Sequence, residues 1–598
     1  MRKLQANNKR LVPLILCSVL VLQQSLANQA SAGMVTDVNG NAIPTHPGTG
    51  AYELRPDAIN KDALVGFKQF QDFKLSEGEI ANFIFQALQH GRGPNGEQQH
   101  IFTDINTFVN FVQNQGEIKG IVNAVQSLGG GLKSDGNLVF ISPNGMIVGS
   151  SGVLNVGSLQ VLTPSVGDFD KMRNGIPDPN YTNFSDGSTH VLAQDINKTY
   201  NPADPMARSG SGQISIDGKV YARGDVELAG GKVGVGNGGL LIAGLGNNTQ
   251  VLKNQNAADT LFNSLVNVDN MNTGNGFANA NGKIVITSNV GTKVDAGGAI
   301  KNFGANSSTT ITNTGTEGIQ INGEVSNPNG NLTITNKAGA LNVGNTGELK
   351  NKGTMTITNE ENGTGLTIDG TATNDGTLNI TNSSGDNGLN IGGKVTNNTG
   401  AATILNQKGG LNVNDGATVT SNGTSLDMDN YGSDGFNIDG DVISNAGTAD
   451  LYNHDNVFNI NSTGSVTSNG TDLNITNDGT NGLNIAGEVL NNSGTANILN
   501  TEGGLNVKTD GLVQSDGDAL NMTNRGQGGF NIDGSVLNNE GMADLLNTAG
   551  GLNVNADGTV TSNGTSLDMT NNGADGLNIE GKVLNNSGTA NILNTEGG

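Results

Sequence analysis

The sequence predicts an all-β protein, a right-handed parallel β-helix that continues through the whole chain after the first 32 residues. Its first support is a repeat with a period of 47 residues, whose copies begin at Gly388, Gly435, Gly482, Gly529 and Gly576. The second is composition: 91 of the 598 residues are glycine, aromatic residues make up 4 % and tryptophan is absent. Such a composition favours many short strands joined by tight turns.

Each period contains two similar units, because its strand-initial apolar residues are spaced alternately by 22 and 25 residues. One unit reads L-N-I/V, then G-x-V, then A-x-I-L-N or L-x-M-T-N, which predicts three short strands with alternate side chains on one face. Glycine and asparagine stand at the corners, where left-handed backbone geometry is needed. Stacked coils would align the asparagines as amide ladders, and about 16 coils at ~4.8 Å each would form a rod on the order of 80 Å long.

The first 32 residues have the features of a secretory signal peptide. An apolar run at residues 11–22 is too short to span a bilayer as a helix, so no stable membrane span is expected. An A-x-A site places cleavage between Ala32 and Gly33, with a second candidate after Ala27. The basic residues that precede the apolar run are Arg2, Lys3, Lys9 and Arg10.

Charge and cysteine content exclude several classes of function. The net charge is −24, so neither nucleic acid nor anionic lipid is an expected partner. The single cysteine, Cys17, lies within the signal peptide, so the mature chain is expected to lack disulfides and thiolate metal sites. The five histidines are scattered along the chain, and no P-loop, zincin or hydrolase motif is present. We therefore expect no cofactor, no metal and no enzyme activity.

One stretch of residues 33–250 carries a specific pattern. Residues 138–163 are short apolar runs interrupted by a Pro143-Asn144-Gly145 turn and by further glycines. Proline fixes its own φ, and Asn144 tolerates the left-handed geometry that a tight turn requires. The other residues that define the pattern are Gly149, Asn155 and Gly157.

This stretch resembles the signature of the two-partner-secretion domain, the N-terminal domain of filamentous-haemagglutinin-like exoproteins. That family shows an Asn-Pro-Asn-Gly turn followed by I-x-x-G-x-x-A/G-x-[LI]-N-V-G, and here Ser142 replaces the first Asn. The resemblance extends through residues 67–84 and 213–235. It implies secretion to the cell surface of a diderm bacterium through an outer-membrane barrel with periplasmic POTRA domains, with the turn as part of the export signal.

The remaining segments are less regular. Five of the chain's twelve prolines fall between Pro164 and Gly212, which predicts a long extrahelical loop or insertion. Residues 103–128 fit either strands or a helix. Residues 251–282 are interpreted as an insertion or linker, with a short helix over residues 257–266. Residues 283–598 form the repeat region, and we expect the repeat to continue beyond residue 598.

These observations favour a secreted, rod-forming filamentous adhesin with a host-cell or bacterial surface receptor as a further partner. The alternative is the stalk of a secreted cytotoxin or contact-dependent inhibition toxin whose active part would lie C-terminal to this chain. A β-helical enzyme of the polysaccharide-lyase type is disfavoured, because no Asp, Arg or Lys cluster interrupts the repeat. Arg223-Gly224-Asp225 is either an integrin-binding tripeptide or a coil corner that requires Gly224.

Overall fold

The structure, a computed structural model, describes residues 33–92, 94–128, 131–246, 248–266 and 281–597. It is an all-β protein, 55 % strand and 4 % helix, in which parallel strands stack as a β-solenoid of about 18 turns. The predicted fold class is therefore confirmed, with slightly more turns than the about 16 expected from the repeat. The predicted signal peptide, including Ala32, lies outside the described residues.

Each turn places one strand in each of three columns. In one turn of the repeat region, column 1 holds Thr495–Asn500, column 2 holds Leu505–Val507 and column 3 holds Leu512–Ser515. Successive strands of a column pair in parallel and in register, so that Asn497 lies against Asn521 of the next turn. Columns 1 and 2 belong to one 35-stranded sheet and column 3 to a 20-stranded sheet.

Column 1 contains the longest strands of the repeat region, and in six-residue strands such as Thr495–Asn500 residues 1, 3 and 5 face outward while residues 2, 4 and 6 are buried. Five strands bend from column 1 into column 2: Val65–Leu75, Val226–Val235, Lys283–Val294, Asn331–Val343 and Met355–Ile368. The other column 1 strands are Thr107–Val112, Asn137–Ile141, Ser158–Leu162, Ser308–Asn313, Leu378–Asn382, Ala401–Asn406, Ser425–Asn430, Thr448–Asn453, Asp472–Asn477, Thr495–Asn500, Ala519–Asn524, Met542–Asn547, Ser566–Asn571 and Thr589–Asn594.

Column 2 consists of three- and four-residue strands, which from Leu389 onward follow the L-N-I/V pattern or its F-N-I variant. Besides the bent strands it contains Gly116–Ile118, Gly145–Val148, Gln213–Ile216, Gly318–Ile321, Leu389–Ile391, Leu411–Val413, Phe436–Ile438, Val457–Ile460, Gly482–Ile485, Leu505–Val507, Phe530–Ile532, Gly551–Val554 and Gly576–Ile579.

Column 3 completes each turn and places mostly valine, leucine or isoleucine in the core. Its strands are Tyr52–Leu54, Ile80–Ile84, Ile121–Leu128, Val153–Val156, Lys219–Ala222, Leu240–Ala243, Ala299–Asn302, Glu324–Asn327, Glu348–Asn351, Thr371–Asn374, Lys394–Asn397, Thr418–Ser421, Asp441–Ser444, Ser465–Ser468, Glu488–Asn491, Leu512–Ser515, Ser535–Asn538, Thr559–Ser562 and Lys582–Asn585.

From Asn313 onward, the column 1 part of each turn ends in an asparagine that stacks on its equivalents, and all of these asparagines except Asn594 are buried. Each Nδ2 donates to the Oδ1 of the next turn at 2.7–3.0 Å. These bonds satisfy polar groups that would otherwise be buried without partners. The predicted amide ladder is therefore confirmed, and we call it the inner ladder: Asn313, Asn336, Asn359, Asn382, Asn406, Asn430, Asn453, Asn477, Asn500, Asn524, Asn547, Asn571 and Asn594.

The N-terminal end of the solenoid is closed by antiparallel pairing. Met34–Asp37 and Ala58–Asn60 both pair antiparallel with Val65–Leu75, while Gln194–Asp195 adds to Ala58–Asn60 in parallel. Strand Gly131–Ser134 folds back on Ile121–Leu128. Two antiparallel hairpins lie outside the solenoid. We call them the first hairpin (Gln86–Arg92 with Gln98–Asp104) and the second hairpin (Tyr181–Asn183 with Thr189–Val191).

The proline-rich insertion covers the outer face of column 1. Its position outside the helix is as predicted, but it is more than a loop, because it contains helix α1 (Val166–Arg173), a 3-10 helix (Pro205–Arg208) and the second hairpin. Phe169 of α1 packs with Phe111 and Val139 in a second hydrophobic cluster outside the main core. The insertion therefore extends the hydrophobic core across a face that would otherwise meet water.

A second helix, α2 (Gln255–Val266), covers the outer face of column 3. Leu261, Phe262 and Leu265 of α2 pack with Val153, Tyr221 and Ile242 of the column, among other residues. The predicted helix is confirmed and begins two residues earlier than expected. The helical alternative for residues 103–128 is wrong, because this stretch forms strands.

Candidate functional site

The candidate export motif occupies one turn of the solenoid, and its corner is a β-turn at Ser142–Gly145. The Gly145 amide donates to the Ser142 carbonyl at 3.2 Å, and Pro143 occupies the second position, which its fixed φ favours. Gly145, not Asn144, adopts the left-handed conformation, with φ of 83°. A Cβ on Gly145 would lie 1.8 Å from the Gln213 carbonyl oxygen, so only glycine fits there. The expectation for Asn144 was therefore wrong.

Asn144 forms the exposed tip of this turn. Its Nδ2 donates to the Gln113 carbonyl at 2.9 Å, and the Asn144 carbonyl accepts from the Gln115 side chain at 3.3 Å. Ser142, which replaces the first asparagine of the family pattern, is buried and donates from Oγ to the Asn114 carbonyl at 3.0 Å. The turn is thus an exposed protrusion tied to the preceding coil by three side-chain hydrogen bonds.

Gly149 and Gly157 stand at the two other corners of this turn of the solenoid. A Cβ on Gly157 would lie 2.1 Å from the Asp135 carbonyl oxygen, a clash with backbone that cannot move aside. A Cβ on Gly149 would approach the Lys119 side chain at 3.0 Å, and that flexible side chain can shift. Packing therefore requires glycine at position 157 more strictly than at position 149.

Asn155 belongs to a polar ladder on the outer side of column 3, which we call the outer ladder: Asn82, Asn123, Asn155 and Arg223. Asn155 Nδ2 donates to Asn123 Oδ1 at 2.9 Å, and Asn123 Nδ2 donates to Asn82 Oδ1 at 3.0 Å. Arg223 Nη2 donates to Asn155 Oδ1 at 2.7 Å. Asn123 and Asn155 are fully buried although they point away from the core.

The outer ladder is buried because residues 248–266, which we call the strap, lie across it. Asn155 Nδ2 donates to the Gln250 carbonyl at 2.8 Å. Asn123 accepts from the Leu252 amide at 3.0 Å and donates to the Leu252 carbonyl at 2.9 Å. The motif asparagine therefore fastens the strap, which ends in α2, onto the coil that carries the turn.

Arg223-Gly224-Asp225 forms a coil corner beside the outer ladder. Arg223 is 3 % exposed, and its Nη1 donates to the Val156 carbonyl at 2.6 Å. Burial lowers the pKa of Arg223 to about 10, and its guanidinium lies 4.7 Å from the Tyr221 ring centre. The Asp225 carboxylate accepts from the Lys283 amide at 2.9 Å. A receptor that reads this tripeptide needs an accessible arginine, so the geometry favours the coil-corner alternative.

Among the shallow grooves on the outer surface of the described residues are two of about 390 and 430 Å³. In the groove of about 430 Å³, Tyr200 donates to Gln160 at 2.6 Å and Gln160 donates to Glu227 at 3.0 Å, and Glu227 also forms an ion pair with Arg208. These side chains thus hydrogen-bond and pair with one another. Within the described ranges, no group of three or more His, Cys, Asp or Glu side chains is arranged to hold a metal ion. The helices of that same part of the chain are all too short or too polar to cross a membrane.

Sequence reasoning missed two side-chain clusters. Four histidines that are scattered in sequence form one run of neighbouring rings with Phe184: His46, His190, Phe184, His100 and His90. The fifth, His454, stacks between Tyr431 and Tyr452, with ring centres 3.7 and 3.8 Å apart. The second cluster has a sequence signal, since residues one coil apart in a known period must stack. The first has none, because its hairpins lie outside the repeat.

Comparisons with protein-family models, with curated proteins and with solved structures found no match. The β-solenoid, the geometry of the Ser142–Gly145 turn and the pattern of residues 138–163 are therefore the grounds on which a function is proposed.

Proposed function

We propose that this chain is a secreted, rod-forming exoprotein that is exported by two-partner secretion and acts as a filamentous adhesin at the surface of a diderm bacterium. The observation that carries the proposal is the β-helical rod, in which the motif of residues 138–163 forms one complete turn near the N-terminal end. Its exterior in the repeat region is regular and polar, which suits a spacer that displays surface over a distance.

The architecture supports export in an unfolded state followed by folding outside. Each coil pairs with its immediate neighbours, as when Thr495–Asn500 pairs with Asp472–Asn477 and Ala519–Asn524. A coil that emerges can therefore stack on the previous one without waiting for distant residues. The antiparallel pairing of Val65–Leu75 gives the first coil a closed end on which this stacking can start.

The proposed partner is an outer-membrane barrel whose periplasmic POTRA domains bind the N-terminal region before it folds. The role assigned to the turn is recognition, because Asn144 is exposed and contributes only surface hydrogen bonds to the fold. Gly145, Gly157 and Asn155 are assigned a structural role, since packing requires the two glycines and Asn155 fastens the strap. In this proposal the chain is not an enzyme and holds no cofactor.

Co-expression with the partner barrel tests the proposal. Asn144→Ala is expected to reduce the amount of chain in the culture medium several-fold, while the purified variant keeps its far-ultraviolet β spectrum. The matched control is Asn445→Ala, which removes an equally exposed corner asparagine that donates to Asn422 at 2.7 Å. That control is expected to be secreted normally.

Two results would overturn the proposal. One is full secretion of the unaltered chain by cells that lack the barrel. The other is equal secretion of both variants, which would remove the turn from the export signal. Adhesion is measured separately, by binding of the purified rod to cell surfaces, so a failure of adhesion leaves the export result interpretable.

A further inference from the structure

A continuous run of rings joins three segments that lie outside the solenoid. The His46–His190 ring centres are 6.4 Å apart, His190–Phe184 5.2 Å, Phe184–His100 5.0 Å and His100–His90 6.0 Å. His90 and His100 face each other across the first hairpin. Phe184 and His190 belong to the second hairpin, and His46 to the N-terminal loop. Four of the chain's five histidines therefore meet where the two hairpins contact each other.

Two ring nitrogens of this cluster are in surroundings that do not suit an added proton. His46 Nδ1 accepts from the Gly48 amide at 3.1 Å, a bond that a protonated Nδ1 cannot make. His190 Nε2 lies 3.3 Å from Ser188 Oγ. His190 Nδ1 is buried, with no hydrogen-bond partner among the described residues. A proton on His190 would therefore place a charge where no side chain pairs with it.

Nearby charges act on His190 in both directions, and burial is the largest influence on its pKa. Arg55 and His46 face His190 and disfavour a positive charge on its ring. Glu53 and Asp186 also face His190, and their negative charge favours it. Burial, followed by Arg55, lowers the pKa of His190. Arg55 is fixed beside the first hairpin, because its Nη1 donates to the Gln86 carbonyl at 2.8 Å and its guanidinium lies 5.5 Å from the Phe102 ring.

The carboxylates around the cluster are already engaged. Asp186 accepts from the Ser188 amide at 2.9 Å and from its hydroxyl at 2.5 Å, which lowers the pKa of Asp186. On the first hairpin, Asp104 accepts from Gln86 at 3.0 Å and Glu97 accepts from Gln99 at 3.1 Å. Neither forms a bond to a histidine in this arrangement. The hydrogen bonds of these carboxylates are therefore made to groups other than the histidine rings.

We propose that the histidine cluster is a pH-sensitive latch that holds the second hairpin against the first at neutral pH and releases it in mild acid. A histidine disfavoured in its charged form stabilises the docked state above its ordinary pKa of about 6.5, and that stability is lost as the pH falls below this value. Beyond the rings, the hairpins are joined by a bridge between Leu88 and Leu192 and by the Ala193 amide, which donates to the Leu88 carbonyl at 2.7 Å. Release would break these bonds and uncover both leucines.

Hydrogen–deuterium exchange of the purified full chain at pH 7.5 and pH 5.0, corrected for the intrinsic exchange rate, tests the latch. The expected result is at least a tenfold loss of protection at pH 5.0 in residues 189–196, with no change in the repeat strand Thr495–Asn500. Replacement of all four histidines, His46→Gln, His90→Gln, His100→Gln and His190→Gln, is expected to abolish the difference between the two pH values. His454→Gln, the matched control outside the cluster, is expected to leave it intact.

The proposal is overturned if residues 189–196 keep their protection at pH 5.0, or if the fourfold variant shows the same pH-dependent loss as the unaltered chain. If the fourfold variant is already unprotected at pH 7.5, the single variant His190→Gln decides. The latch predicts a smaller loss at pH 5.0 in that variant, and an unchanged loss contradicts it.

Discussion

The N-terminal coils and the repeat coils share one backbone path but are stabilised in different ways. The N-terminal core is aromatic: Phe83 lies 5.6 Å from Phe73, 5.4 Å from Phe108 and 5.6 Å from Phe140, measured between ring centres. The repeat core is mainly aliphatic and is bordered by the inner asparagine ladder. Each aromatic contact of the N-terminal core therefore occurs once, whereas in the repeat region equivalent contacts recur in every coil along the axis.

The outer faces differ in the same sense. In the N-terminal part, α1 covers column 1 and the strap covers column 3, so several outward side chains are buried. In the repeat region, outward residues such as Thr495, Asn497 and Leu499 remain partly exposed. Damage to an N-terminal contact should therefore disturb several layers, while damage to a repeat contact should stay local.

The largest expected effect is in the aromatic core. Phe83→Ala removes a fully buried ring and should lower the free energy of unfolding by ~3–5 kcal/mol. Phe458→Leu in the repeat core should cost about 1 kcal/mol, because the register of column 2 also accepts leucine at Leu483 directly above it. Local unfolding free energies from hydrogen exchange measure both. Equal losses would refute the contrast between the regions.

Corner glycines give the next largest effect. Gly482 has φ of 83°, and its added Cβ would lie 2.3 Å from the Gly504 carbonyl oxygen. Gly416 has φ of 75° and open space around its Cβ. Gly416→Ala should lower the free energy of unfolding by ~1–2 kcal/mol through backbone strain alone. Gly482→Ala should lower it by ~1–3 kcal/mol more, because of the clash. If urea unfolding midpoints drop equally in the two variants, stacking of backbone at the corner is not what selects glycine.

The inner ladder should contribute less per residue. Asn430 donates to Asn453 Oδ1 at 2.8 Å and accepts from Asn406 at 2.8 Å, and it is fully buried. Asn430→Ala leaves two amides without this partner and should cost ~1–3 kcal/mol. Asn445→Ala, on an exposed ladder, should change stability by less than about 0.5 kcal/mol. A larger cost at Asn445 would contradict the importance of burial.

The smallest effect concerns charge on the outer face of column 1. Asp427 and Asp450 pair in register on adjacent coils, and burial followed by Asp450 raises the pKa of Asp427. A raised carboxyl pKa means that the folded chain binds protons more readily than the unfolded chain. The unfavourable contribution of this pair to the free energy of unfolding is therefore present at neutral pH and is relieved as the pH falls toward that pKa. Asp450→Asn should therefore stabilise slightly at pH 7 and less so near pH 4. Thermal unfolding at both pH values measures this, and a destabilisation at pH 7 would contradict it.

The sequence predicts well those features of the fold that recur with the repeat period. The 47-residue repeat predicts three strands per coil and the inner ladder, because identical positions must stack when coils pair in register. The strap is invisible to such reasoning, since Asn123 and Leu252 meet across 129 residues without a local pattern. The histidine cluster is hidden for the same reason. Arg223-Gly224-Asp225 shows a related limit, because a tripeptide motif does not reveal that its arginine is buried.

The central claim is that the repeat region is stabilised by copied nearest-neighbour contacts, and removal of one whole period tests it most directly. Deletion of residues 482–528 joins Asn481 to Gly529 and should let Asn477 stack on Asn547 in place of Asn500. Small-angle X-ray scattering should then show a folded rod shortened by about 10 Å, the height of two coils, with an unchanged β spectrum. Unfolding of the variant, or a rod of unchanged length, would contradict the account.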